Sequence, residues 1–163
     1  MRPLWVERRR SGCMLTGVQF RAYLIIAFIA FVAAVTGSDL VARMTIGQLS
    51  LGEAVIEHLE WASLTLIGLL LLFAPFMGVA LICAKAQRKA QTRSVAGIFG
   101  AFLLGLMYRY FNAFQAAEQS MLDERWTAAA LSIGLLPFFV GLPAILLALG
   151  AALMASRFDP RPV

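Results

Sequence analysis

Residues 62–84 read ASLTLIGLLLLFAPFMGVALICA, twenty-three positions without an Asp, Glu, Lys or Arg, and residues 85–93 follow as KAQRKAQTR, with Lys85, Arg88, Lys89 and Arg93 packed into one short turn. A helix that crosses about 30 Å of hydrocarbon needs about 20 predominantly apolar residues. The stretch therefore reads as a membrane span, and the basic turn as its cytoplasmic boundary, because Lys and Arg collect on that side.

Working outward, three more segments qualify: residues 22–40, 94–114 and 128–154. Together with 62–84 they predict an all-α, integral membrane four-helix bundle, with residues 1–163 forming a single four-span domain. The composition agrees. The chain has 61% hydrophobic and 14% charged residues, against about 25% charged in an ordinary soluble domain, which excludes soluble globular and disordered classes. The formal charge of +5 does not indicate a nucleic-acid partner, because the basic residues lie between apolar runs. With both termini cytoplasmic, eleven of the fourteen basic residues fall inside and only Arg43, Arg109 and Arg125 outside, while seven of the nine acids fall outside. This partition predicts an even number of spans and a bacterial cytoplasmic (inner) membrane, N-in and C-in.

The first span has a basic leader, yet no small-x-small site precedes Asp39, so it is expected to stay attached. Met14 is an alternative start to Met1, and it would remove the Arg8-Arg9-Arg10 cluster without changing the orientation. Cys13 and Cys83 both fall near the reducing side, where a disulfide is not expected. They form no C-x-x-C, which argues against a membrane thiol oxidoreductase, and each reads as a small apolar residue at a helix end.

Between the spans, Ser50-Leu51-Gly52-Glu53 reads as a capping box, serine accepting from the third backbone N–H and Glu53 reaching back. The second helix is expected to begin there, before the membrane, with Trp61 at headgroup level. Nothing in NAFQAAEQSM (residues 112–121) breaks a helix, so the third helix should continue outward too. Helices two and three are thus expected to extend beyond the outer leaflet. Their acidic residues Glu53, Glu57, Glu60 and Glu118, with Asp123 and Glu124, make a candidate outer face for a cation or a basic partner, or else a solvated surface. The stripe Arg109, Asn112, Gln115, Glu118 and Gln119 could face water or a partner helix.

Small residues let membrane helices approach closely. Gly97, Ala101 and Gly105 on the third span and Ala144, Ala148 and Ala152 on the fourth are therefore candidate packing faces, within the chain or in a partner. Pro75, Pro137 and Pro143 remove backbone hydrogen bonds and should kink their helices. The fourth segment, about 40 Å if straight, must kink or tilt to fit.

An ionisable residue inside a span is a functional-site hypothesis. Arg109 lies sixteen residues beyond Arg93, about 24 Å along a helix, just beneath the outer boundary. Counting from Arg21 brings Asp39 to the same level, so an Arg109–Asp39 ion pair is one expectation and a snorkelling Arg109, flanked by Tyr108 and Tyr110, the other. His58 is the only histidine. It sits beside Glu57 rather than three residues from it, so it does not match the Glu-x-x-His pattern of helical di-iron sites, and a solvated or interfacial ring is expected. No metal, cofactor or catalytic set is predicted: the chain lacks G-x-S-x-G, a P-loop, H-E-x-x-H and a dinucleotide fingerprint.

The expected partners are the lipid bilayer, with anionic lipids at the cytoplasmic basic turn, and other membrane subunits or further copies of the chain, with no nucleic acid. These features lead to the expectation of a non-catalytic accessory or assembly subunit. One alternative is a homo-oligomeric transporter or channel using the Arg109/Asp39 level and the kinked fourth span. A second is an intramembrane enzyme acting on a lipid or quinone.

Overall fold

The computed structural model describes residues 20–160. The Arg8–Arg10 cluster, Cys13, Met14, Arg161 and both chain ends lie outside them. Five helices are seen among the described residues: α1 Phe20–Thr45, α2 Leu51–Leu64, α3 Leu66–Ala86, α4 Thr92–Leu122 and α5 Trp126–Phe158. All but α2 are long and apolar enough to cross a membrane. The described chain has an acidic end, where α1 passes to α2 and α4 to α5, and a basic end, where Lys85, Arg88, Lys89 and Arg93 surround the α3–α4 turn.

α4 is the central helix, because its buried residues Val95, Phe99, Leu103, Leu106, Tyr110, Phe114 and Ala117 recur every three or four positions and make one inward stripe. α1 answers with Tyr23, Ala27, Phe31, Ala34 and Val35, and α3 with Leu72, Phe76, Val79, Ala80 and Cys83. Edge-to-face ring pairs join the three helices: Tyr23 with Phe99 at 4.7 Å, Phe31 with Phe76 at 5.7 Å and Phe76 with Tyr110 at 5.2 Å. Lipid tails are as apolar as leucine, so for helices able to cross a bilayer such interdigitation, rather than escape from water, supplies the cohesion. The Tyr110 hydroxyl within that core donates to the Leu72 carbonyl of α3 at 2.8 Å.

α1 runs five residues past the expected end of the first span, because nothing between Asp39 and Thr45 breaks a helix. A π-helical turn at Ala33–Gly37 precedes the polar end. Its wider winding rotates the rest of the helix, so that Ser38, Asp39 and Ala42 point inward. The helix stops with Gln48 at φ 58° and Leu49 N–H donating to the Arg43 carbonyl at 3.1 Å, a left-handed cap that α4 repeats at Glu124, φ 59°.

The capping box forms with both halves: the Ser50 hydroxyl accepts from Glu53 N–H, and Glu53 accepts from Ser50 N–H at 3.0 Å. The helix it starts does not run unbroken into the second span. Thr65, at φ −117° and ψ 32°, separates α2 from α3. In contrast, α4 is continuous over 31 residues, about 46 Å against a hydrocarbon core of about 30 Å. α5 absorbs its excess length through a turn at Leu135 and a second π-helical turn at Pro137–Gly141. There Gly141 lies against the Pro75 ring, so the two proline irregularities of α3 and α5 pack on each other. At the basic end the chain after α5 returns to the start of α4. Gln91 N–H donates to the Asp159 carbonyl at 3.1 Å, the Asp159 carboxylate accepts from the Ser94 hydroxyl, and Ala90 pairs with Pro160.

Candidate functional site

The polar residues of the acidic end converge where α1, α2 and α4 meet. Asp39 is buried on α1, and its Oδ2 accepts from Arg43 Nε one turn later at 2.8 Å. The same oxygen lies 2.8 Å from His58 Nδ1 on α2. An ionised carboxylate only accepts, so Nδ1 carries the proton of that bond. Arg43 uses a second nitrogen on Glu57 of α2. On the α4 side Glu118 is 8% exposed and directs an oxygen at the α1 end. Close approach there depends on Gly47: a Cβ would stand 2.7 Å from both the Arg43 carbonyl and Glu118 Oε1. Gln115 of α4 reaches the Ser38 carbonyl at 3.5 Å. His58 also faces Trp61, at 5.8 Å, which packs edge-on against Phe114 at 6.0 Å.

Arg109 and Asp39, expected at one depth, are not joined. Among the described residues Asp39 pairs with Arg43 and His58, and Arg109 is exposed on α4 without an ion pair. The reason is local: once α1 continues to Thr45, Asp39 and Arg43 stand at i, i+4, the closest side-chain spacing on a helix. That spacing is visible in the sequence and requires only the longer helix. His58 carries no comparable signal. Expected to be solvated or interfacial, it is 8% exposed, because α2 turns Ala54 and His58 toward the bundle.

The acidic residues do not form a single face. Glu53 serves the α2 cap, Glu57 holds Arg43, Glu60 is exposed and Glu118 is buried. Outside the spans, the Ser50 hydroxyl and backbone N–H hydrogen-bond the Glu53 carboxylate and hold its titration below the usual carboxylate range. Of the small-residue faces, Ala148 and Ala152 are buried within the chain. Gly97, Ala101 and Gly105 are exposed, and a Cβ on Gly97 or Gly105 would meet nothing.

Chemically, the cluster at the acidic end gathers three carboxylates, Asp39, Glu57 and Glu118, around one guanidinium and one imidazole, and only Asp39 and Glu57 are paired with them. Arg43 is divided between two carboxylates, and Asp39 between a guanidinium and an imidazole, so their hydrogen-bonding capacity is directed at each other. No group of three or more His, Cys, Asp and Glu side chains among the described residues is arranged to hold a metal ion. The arrangement ties α2 and α4 to the end of α1. No known protein family, curated protein or solved structure matches the chain.

Proposed function

We propose that the protein is a non-catalytic accessory or assembly subunit of a larger membrane complex, set in a bacterial cytoplasmic membrane with both termini and the basic end inside. The observation that carries this reading is the free side of α2. Its inner side is fastened by Ala54 and His58, while Leu51, Val55, Ile56 and Leu59 point outward, three of them about 60% exposed. In the proposed orientation α2 lies at the outer membrane boundary, and α4 projects past it by up to about 16 Å. An apolar stripe held in place at that level, beside exposed Glu53 and Glu60, is suited to another subunit. The interior packed with Phe31, Phe76, Phe99 and Tyr110 favours this reading over a conduit through one chain, and the engagement of Asp39 with both His58 and Arg43 favours it over an enzyme. Anionic lipid at Lys85, Arg88, Lys89 and Arg93 fits the same orientation.

The test is native mass spectrometry of the protein extracted in mild detergent from its own membrane. A stoichiometric complex is expected. Val55→Glu combined with Leu59→Glu should dissociate it while circular dichroism shows the helical content unchanged. A lone, monodisperse wild-type monomer would overturn the proposal.

A further inference from the structure

A cleft of about 400 Å³ opens on the outer surface of the bundle between α4 and α5. It exists because Ala101, Gly105 and Ala144 have little or no side chain; Leu106, 2% exposed, closes its base, while Phe139 and Leu147 stand along its rim. Among the described residues, Arg109 is the one charged residue lining it. Along α4, Ala101 and Arg109 are eight residues apart, about 12 Å. The cleft is open to the outside of the bundle and lined almost wholly by apolar side chains, a surface suited to a hydrocarbon chain.

The charge at its end specifies the rest of the occupant. Arg109 is exposed on a membrane-spanning helix and has no ion-pair partner among the described residues. A guanidinium at that depth requires an anion or water. It lies seventeen residues from the start of α4, about 26 Å along the axis, so its long side chain reaches the adjacent headgroup layer. The anion that the bilayer itself supplies at that level is phosphate, whose oxygens match the planar fork of arginine.

We infer that the cleft between α4 and α5 binds a glycerophospholipid, one acyl chain lying over Ala101, Gly105 and Ala144 and the headgroup phosphate held by Arg109. The site is separate from the α2 surface and from the basic turn. It needs only that the four helices span a bilayer, and an uncompensated cation there favours anionic over zwitterionic headgroups.

The experiment reconstitutes the protein in vesicles of phosphatidylglycerol and phosphatidylcholine in equal parts, extracts it into a neutral detergent and counts retained lipid by native mass spectrometry. Wild type should retain one phospholipid per chain, enriched in phosphatidylglycerol. Arg109→Gln and Gly105→Leu should each lower retention about tenfold, the loss expected for one charge-assisted contact or a filled cleft. A Cβ at Gly105 meets no atom of the bundle, so the leucine extends into the cleft, and an unchanged thermal melt confirms folding. If Gly105→Leu does not fold, Ala101→Leu repeats the test on the same floor. Lys85→Gln with Lys89→Gln should leave this lipid in place. Retention equal to wild type in both Arg109→Gln and the leucine variant overturns the inference. Loss only in the leucine variant overturns the phosphate contact. Loss of a protein complex with lipid retained would make the cleft a helix seat and overturn it as well.

Discussion

Asp39 shows how a residue notable for its depth matters through partners that depth does not specify. Counting along the helices identifies it as a charge near the apolar layer, and it is indeed buried. Its partners are decided by geometry that counting does not reach: Arg43 on the same helix and His58 on the next occupy its Oδ2. Removing one member of a buried pair leaves the other desolvated and unpaired, a cost that usually exceeds the net value of the pair. Asp39→Asn should therefore lower stability by about 1–3 kcal/mol, read as a fall in thermal midpoint in detergent. The loss should couple to Arg43→Gln in a double-mutant cycle and be additive with Arg109→Gln. Coupling to Arg109 instead would make Arg109 the true partner of Asp39.

For α2, the start is legible and the end is not. Ser50 and Glu53 announce the capping box through a spacing that depends only on the chain's own backbone, and both bonds form. The break at Thr65 is not announced, since Leu64, Thr65 and Leu66 contain no glycine or proline. Nor do the two π-helical turns follow from composition alone, although Gly37, Pro137 and Gly141 lie within them. The capping box also makes the start of α2 sensitive to acid. Because Glu53 is held below its usual titration range by bonds to its ionised form, its contribution is complete above the carboxyl value of an unfolded chain, about 4.3. It is lost as the pH falls through the depressed folded value. Amide exchange at Ser50 and Glu53 should accelerate below about pH 4 beyond the intrinsic change, and Glu53→Ala should abolish that pH dependence. Exchange that ignores the titration would mean the cap does not hold α2.

At the scale of the whole molecule, the described glycine with the tightest surroundings is the one where two irregularities meet. Gly141 in the π-helical turn of α5 lies against Pro75 of α3, whereas Gly78 faces the flexible end of Ile145, whose Cδ1 would be 2.8 Å from an added Cβ. A proline ring cannot rotate away and an isoleucine tip can. Gly141→Ala should thus cost about 1–3 kcal/mol and Gly78→Ala distinctly less, compared by thermal unfolding in the same detergent. Equal losses would mean that the α3–α5 contact is not organised around Pro75. The exposed side of Gly97, Ala101 and Gly105 belongs to this scale too: the motif indicates capacity for close approach, and the bundle uses other positions for it.

Apolar length, charge placement and the Ser50 cap were readable from the chain because each depends on neighbours within a few residues or on the bilayer's fixed thickness. They establish four helices able to span a membrane, a basic and an acidic end, and the start of α2. Tertiary structure decided the features that depend on rotation about helix axes and on distances between helices. It set which carboxylates meet Arg43, that His58 turns inward, that Glu118 comes to rest against the Gly47 turn, and that Arg109 stands at the edge of a cleft. A single π-helical turn changes the facing of every residue after it, so these outcomes follow from how the helices pack rather than from spacing along any one of them.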